Sequence, residues 1–186
     1  MSYLSQMQAI IAADPLRLRI LRQVEALQLP DCWVAAGFVR SAIWDHLHQR
    51  SGSPLPADID VIWFDSERSS PELDARIEAT LRSMDNASEW SVKNQARMHL
   101  RNDDPPYSSA TEAMVYWPET ATAVAVRLGT QGVIEIAAPL GLDDLFNLVV
   151  RPTDRFQGEK AQTYRDRLRA KNWLATWPRL RVISAN

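Results

Sequence analysis

Residues 58–65 read DIDVIWFD, and this stretch decides which fold the sequence encodes. Its apolar, β-branched and aromatic residues are typical of a core β-strand. Because side chains alternate along a strand, Asp58 and Asp60 share one face and Asp65 lies off that face, as a turn residue. Two carboxylates on one face repel each other unless a cation lies between them, and such oxygen ligands suit Mg²⁺ or Mn²⁺. Alternatively, Asp58 only ends the strand, and Asp60 is solvated or paired with an arginine.

The segment upstream of this strand strengthens the metal interpretation. Residues 32–37 read CWVAAG, a short apolar strand that ends at Gly37, and a helical pattern follows at once from Phe38 to about Arg50. A strand-to-helix turn presents free N–H groups and the positive end of the helix dipole to a phosphate. A phosphate cradle beside two carboxylates predicts a nucleoside triphosphate site.

These two segments together resemble a known superfamily. AAGFVRSAIWDHL (35–47) and PADIDVIWFD (56–65) are similar to the signature of the DNA polymerase β-type nucleotidyltransferases, whose glycine turn, helix and Asp-x-Asp strand follow one another. The head of the CCA-adding tRNA nucleotidyltransferases has the same arrangement. Over nearly the whole chain, with WSVKNQARMH, IEIAAPLGLDDLFNL and VRPT, the sequence resembles a small bacterial nucleotidyltransferase-like family of unknown function. The resemblance implies an α+β (α/β) polymerase β-like fold, with a mixed sheet flanked by helices.

The resemblance also implies site residues. Asp58 and Asp60 match the catalytic, metal-binding pair, and Arg40 matches an arginine of the tRNA nucleotidyltransferase variant. Gly37 matches the second glycine of the turn. The implied nucleotide-binding positions at this turn are Gly37, Phe38 and Arg40. The sequence departs from the superfamily pattern at two places, with Ala36 in place of a glycine and Phe38 in place of a frequent serine.

A third carboxylate is expected from the superfamily pattern, where it helps to deprotonate the attacking hydroxyl. Glu135 in VIEIAAP (133–139) is the candidate, because it is the single acid in an apolar strand. It is therefore predicted as the third catalytic and metal-binding residue. An ion pair or an exposed position at the sheet edge would explain Glu135 equally well.

Residues 89–100, EWSVKNQARMHL, have the alternation of a strand. That alternation would place Lys93, Gln95, Arg97 and His99 in one polar row. Lys93 and Arg97 are predicted to bind the triphosphate or the acceptor. The alternative is a solvated sheet face without a ligand.

Composition favours one folded domain over residues 1–186. The chain is 46% hydrophobic and has seven tryptophans, and strands alternate with helical patterns, which implies a mixed sheet. We expect a helical N-terminal segment (1–30), a sheet core (about 31–140) and a basic helical C-terminal segment (141–186). Residues 151–186 hold nine basic and three acidic residues, and residues 71–150 hold six basic and twelve acidic ones. The basic segment could therefore meet phosphates, an acidic partner or the chain's own acidic middle.

The sequence thus predicts a Mg²⁺- or Mn²⁺-dependent nucleotidyltransferase that transfers a nucleoside monophosphate from an NTP to an acceptor, releasing pyrophosphate. The expected acceptor is a small molecule, and no motif supports a nucleic acid. A single cysteine and the lack of a signal peptide or long apolar run fit a cytoplasmic protein without membrane contact. Two alternatives remain open: a catalytically silent nucleotide-binding or interaction protein, and a toxin–antitoxin-type nucleotidyltransferase acting on a protein or tRNA.

Overall fold

The computed structural model of the chain describes residues 2–186. Helices and strands alternate through its first half, as the sequence pattern predicts. The helices are α1 (Tyr3–Ala12), α2 (Pro15–Glu25), α3 (Gly37–Leu47), α4 (Pro71–Met84), α5 (Met98–Asn102), α6 (Ala110–Val115), α7 (Asp143–Phe146), α8 (Ala161–Lys171) and α9 (Trp173–Thr176). The strands are β1 (Trp33–Ala35), β2 (Asp58–Trp63), β3 (Glu89–Asn94), β4 (Ala125–Leu128), β5 (Ile134–Ala137), β6 (Val149–Val150) and β7 (Arg181–Val182).

A five-stranded mixed sheet organises the molecule, in the order β3-β2-β1-β4-β5. Only the β2–β3 pair in this sheet is parallel, and the other neighbours are antiparallel. Strands β4 and β5 form an antiparallel hairpin in which Arg127 lies opposite Glu135. Strands β6 and β7 form a separate parallel pair. The mixed α+β fold expected from the sequence is therefore confirmed.

The two faces of the sheet are covered unequally. Alternation along β2 sends Ile59, Val61 and Trp63 into the main core, which helices α1 to α4 cover. The opposite face carries a smaller apolar cluster in which Ile62 packs near Met114 of α6. Asp58 and Asp60 belong to this second face. The sheet therefore separates the main core from the candidate site.

Local sequence fixes the starts of α2 and α4. The Asp14 side chain accepts hydrogen bonds from the N–H groups of Leu16 and Arg17, and Pro15 occupies the first turn of α2. Ser70 caps α4 in the same way, next to Pro71.

The predicted strand over residues 89–100 is wrong beyond Asn94. The side chain of Asn94 accepts a hydrogen bond from the N–H of Ala96 at 2.9 Å and donates to the carbonyls of Asp65 and Arg68. These local bonds compete with continued strand pairing. The chain turns instead into a 3₁₀ turn over Gln95–Arg97 and then into α5. The expected polar row therefore ends at Lys93.

No helix within residues 2–186 has the length and apolar character needed to cross a membrane.

Candidate active site

The turn between β1 and α3 has a glycine-like backbone at Ala36. This residue has φ 56° and ψ −122°, a conformation that L-residues rarely adopt. Its N–H donates to the carbonyl of Val124 at 2.9 Å, and its carbonyl accepts from the N–H groups of Val39 and Arg40. The surrounding hydrogen bonds therefore hold a strained residue in place, a feature that clusters at functional sites.

Helix α3 begins at Gly37 without a side-chain cap. The N–H group of Gly37, which is partly exposed, is therefore available to an anion at the positive end of the helix dipole. A Cβ on Gly37 would lie 3.5 Å from Nη2 of Arg40 and 3.6 Å from Cβ of Pro56, which is ordinary contact. The turn thus requires a positive φ angle at Ala36, not at Gly37.

Phe38, predicted as a nucleotide-binding residue, is fully buried at the start of α3. Its side chain lies in the main core, and the Arg17 guanidinium lies 5.5 Å from the ring centroid. The Phe38 carbonyl accepts a hydrogen bond from Nε of Arg17 at 2.9 Å. The ring therefore anchors the start of α3 in the core.

The two aspartates of β2 lie beside this turn. Asp60 pairs in register with Ala35 of β1, the residue before the turn, and with Ser91 of β3. Asp58 is exposed and lies opposite Glu89 of β3, whereas Asp60 is partly buried. The predicted shared face of Asp58 and Asp60 is present in the structure.

The surroundings of Asp60 disfavour its charge in the absence of a cation. Burial, followed by the negative charge of Asp58, raises the pKa of Asp60 to about 6, although a hydrogen bond from Ser91 and the charges of Lys171 and Arg167 act in the opposite direction. A cation at this position would relieve the repulsion. Mg²⁺ commonly uses one or two carboxylates and completes its coordination with water and substrate phosphates, so the residues present fit this ion.

Arg40 lies beneath the turn in an aromatic cage. Its guanidinium is 5.1 Å from the ring centroid of Trp44 and 4.4 Å from that of Trp173, and its Nη1 donates to Oγ1 of Thr122 at 2.8 Å. Burial lowers the pKa of Arg40 to about 10, while the nearby Glu119 acts to raise it. Nε of Arg40 is buried without a hydrogen-bond partner. The side chain therefore places a buried positive charge close to Gly37.

A cleft of about 230 Å³ opens on the aspartate face of the sheet. It brings together Asp60 and Lys93, two of the predicted site residues. Its polar lining also includes Ser91, Thr122 and Arg167. The remaining lining residues are Ala36, Ile62, Gln95, Met98, Asn102, Trp117 and Pro118.

The structure separates Lys93 from Arg97. Lys93 borders the cleft, although its Nζ donates to Oε1 of Glu78 at 2.9 Å. Arg97 follows the end of β3, forms an ion pair with Asp74 of α4 and does not line the cleft. The strand that was expected to align these two cations is absent after Asn94, so Arg97 has a structural partner away from the aspartates.

Glu135 is not brought to the aspartate pair. It lies on β5, three strands from β2 in the sheet order, and forms an ion pair of 2.6 Å with Arg127 opposite it. Within residues 2–186, no three His, Cys, Asp or Glu side chains form a group that could hold a metal. The cross-strand ion pair with Arg127 thus explains why Glu135 is the single acid in an apolar strand. The expected convergence of the Asp58, Asp60 and Glu135 carboxylates is not observed.

Several residues of the site carry no signal in the signature segments. Arg167 of α8 lines the cleft and pairs at 2.6 Å with the fully buried Glu119. The four-residue spacing of Arg167 and Lys171 marks one helix face in the sequence, but the sequence does not show what that face meets. The sequence around Glu119 and Thr122 gives no sign that this segment lies next to β1 in the folded chain.

Comparisons with known proteins agree with this architecture. Residues 22–182 match the model of a family described as nucleotidyltransferase. A structure solved by NMR, described as revealing a CCA-adding enzyme head domain, is 35% identical, with a TM-score of 0.86 over 97% of this chain and 96% of that chain. A search of curated proteins returned no match.

Two larger structures share the fold at lower identity. A CCA-adding enzyme in complex with CTP is 15% identical with a TM-score of 0.62, over 96% of this chain and 43% of that chain. The complex of a CCA-adding enzyme with ATP is 14% identical with a TM-score of 0.59, also over 96% and 43%. This chain therefore spans less than half the length of those enzymes. The family match and the 35% identical head domain lead to one conclusion: the chain belongs to the nucleotidyltransferase family.

Proposed function

We propose that this chain is a metal-dependent nucleotidyltransferase that transfers a nucleoside monophosphate from an NTP to a small acceptor and releases pyrophosphate. One observation carries the proposal: Asp58 and Asp60 share one face of β2 directly beside the uncapped N-terminus of α3. This arrangement places oxygen ligands for a hard cation next to the free N–H group of Gly37 for phosphate. Nucleotide binding is supported by the fold likeness to CCA-adding enzymes in complex with CTP and with ATP.

Each group of the site has a defined task in this proposal. The N–H group of Gly37 binds a phosphate oxygen at the end of α3, and Arg40 adds positive charge from beneath the turn. Asp58 and Asp60 would hold Mg²⁺ or Mn²⁺, which would supply neutralisation of phosphate charge and activation of the attacking hydroxyl. Asp60 is ionised at neutral pH because its pKa of about 6 lies below 7.

The reaction follows the usual course of nucleotidyl transfer. An acceptor hydroxyl oxygen attacks the α-phosphorus in line with the leaving group and gives its proton to solvent, and the bond to the bridging oxygen breaks as pyrophosphate leaves. Lys93 borders the cleft on the β3 side, where it can contact an incoming acceptor. Arg97 and Glu135 take no part in this proposal, because each is ion-paired elsewhere.

The size and lining of the cleft favour a small acceptor. Its volume of about 230 Å³ is below the range of roughly 300–1,000 Å³ that is usual for drug-sized ligands, so beside the phosphates of an NTP it leaves room only for a small acceptor group. Gln95 and Asn102 offer amides, and Trp117 offers an apolar wall. We place all of these groups in one domain spanning residues 1–186, because α8 of the basic C-terminal segment borders the same cleft as the sheet.

A second candidate function is a catalytically silent nucleotide-binding protein that keeps the fold. The observation that favours it is the lack, within residues 2–186, of a three-membered group of acids, histidines or cysteines that could hold a metal. The strained alanine at position 36 also stands where the superfamily usually has glycine.

Transfer of label distinguishes these two functions. Each of the four NTPs, labelled on the α-phosphorus, is incubated with Mg²⁺ or Mn²⁺ and with fractionated metabolite or RNA pools. The enzyme predicts a labelled product and pyrophosphate with wild type, and neither with Asp58→Asn or Asp60→Asn. Glu135→Gln is the matched acid control and retains transfer. NTP binding without transfer in any pool would favour the silent protein, and a product that persists in both aspartate variants would refute the proposed site.

A further inference from the structure

One cation of α8 lines the cleft, and a second extends from the same face of the helix. Arg167 lines the cleft with Asp60, and Lys171 follows it by one helical turn on the same face of α8. Helix α8 therefore borders the site, although it lies far from the signature segments in sequence.

The hydrogen bonding of Arg167 leaves most of its donors free. Its Nε donates to Oε1 of Glu119 at 2.6 Å, and the Glu119 side chain is fully buried. Within residues 2–186, the two Nη groups have no protein hydrogen-bond partner, and 30% of the Arg167 side chain is exposed. Glu119 thus holds one edge of the guanidinium and leaves the other edge available to a ligand.

Lys171 is exposed at the end of α8, and the described part of the chain gives it neither a hydrogen bond nor an ion pair. This distinguishes it from the neighbouring Arg169, which is paired with Asp166 on α8. It also differs from Arg97 and Lys93, whose charges are met by Asp74 and Glu78.

Arg40 cannot supply the phosphate contacts alone. Its guanidinium is enclosed by Trp44 and Trp173 and donates to Thr122. Among the cations near Asp60, Arg167 and Lys171 are those whose free donors belong to partly or fully exposed side chains. Free Arg and Lys donors beside a cation-binding carboxylate pair match a polyphosphate, because planar guanidinium forks and ammonium groups form strong charge-assisted bonds to phosphate oxygens.

We propose that Arg167 and Lys171 form the polyphosphate-binding subsite of this nucleotidyltransferase, so that α8 completes the nucleotide site that β2 and α3 begin. This inference rests on the proposed function. It assigns the role of phosphate-binding cations, which the sequence had suggested for Lys93 and Arg97, to a different element of the chain. The ligand is the triphosphate of an NTP, not the backbone of a nucleic acid.

The test measures equilibrium binding of inorganic tripolyphosphate, and separately of a non-hydrolysable NTP with Mg²⁺, to the full chain by calorimetry. Arg167→Gln is expected to weaken both affinities by about 10- to 100-fold, which is the effect of losing a hydrogen bond to a charged group. Lys171→Gln is expected to weaken them by about 2- to 5-fold, because an exposed charge is worth less. Arg169→Gln is the matched control on the same helix and leaves both affinities within twofold.

Lys171→Gln keeps the test decisive if Arg167→Gln lowers stability, since the Lys171 side chain has no internal partner to lose. Wild-type affinity for tripolyphosphate in both variants would overturn the inference, even if label transfer by wild type supports the proposed function. Absence of tripolyphosphate binding to wild type would also overturn it. A loss confined to a single-stranded oligoribonucleotide, with tripolyphosphate affinity unchanged, would assign these cations to a nucleic acid instead.

Discussion

Replacing Asp60 with asparagine is expected to stabilise the metal-free protein while removing its function. Burial and the charge of Asp58 raise the pKa of Asp60 from 3.8 to about 6 in the folded state. Between these two values the folded chain holds more protons at this site than the unfolded chain does. Stability therefore falls as the pH rises from about 4 to 6, and the full penalty is present above pH 6. Asparagine removes the charge and keeps the shape.

The size of this effect follows from the shift. About two pKa units correspond to roughly 3 kcal/mol, since one unit is worth about 1.4 kcal/mol. Asp60 is only partly buried, so solvent screening reduces the expected gain to about 1.5–3 kcal/mol. With a urea slope of about 2 kcal/mol per molar, the unfolding midpoint should rise by about 1 M.

The assay is urea unfolding in the presence of EDTA at pH 8 and at pH 4. Asp60→Asn should raise the midpoint at pH 8, and the gain should be much smaller at pH 4, where the wild-type carboxyl is protonated. Asp65→Asn is the matched control near the end of the same strand. Hydrogen bonding to Arg68 lowers the pKa of Asp65, so this substitution should give no gain. A loss of stability in Asp60→Asn at pH 8, or an equal gain at both pH values, would refute the reasoning.

Three further predictions concern separate features of the fold. Ala36→Gly should raise the melting temperature by about 2–4 °C, because glycine relieves the strain of the positive φ by roughly 1 kcal/mol. The control Ala13→Gly should lower the melting temperature, because Ala13 has an ordinary φ of −82°. Glu135→Gln should leave NTP affinity, measured by calorimetry, within twofold of wild type. A tenfold loss of affinity would show that Glu135 takes part in the site. Cys32 should react slowly with a thiol reagent at pH 8, because burial raises the pKa of its thiol to about 12, and complete reaction within seconds would contradict that placement.

The sequence was sufficient where local patterns determine structure. Alternation along DIDVIWFD correctly placed Asp58 and Asp60 on one face, since the buried Ile59 and Val61 force that register. The strand-to-helix turn at Gly37 was also correct.

The sequence was insufficient where long-range contacts determine the position of a side chain. Glu135 and Arg127 are cross-strand neighbours, so the charge of the acid is satisfied by a residue on the adjacent strand. Arg97 was misplaced because the side chain of Asn94 ends β3 three residues before Arg97. Glu119 and Arg167 are 48 residues apart, and only the folded chain shows that their ion pair brings α8 to Asp60.

The most direct test of the central claim is binding of Mn²⁺ followed by the loss of its free electron paramagnetic resonance signal. Wild type with a non-hydrolysable NTP should bind at least one Mn²⁺ per chain, and Asp60→Asn should bind it at least tenfold more weakly under the same conditions. Equal Mn²⁺ binding by wild type and Asp60→Asn, or no binding by wild type, would contradict a metal-dependent nucleotidyltransferase site at Asp58 and Asp60.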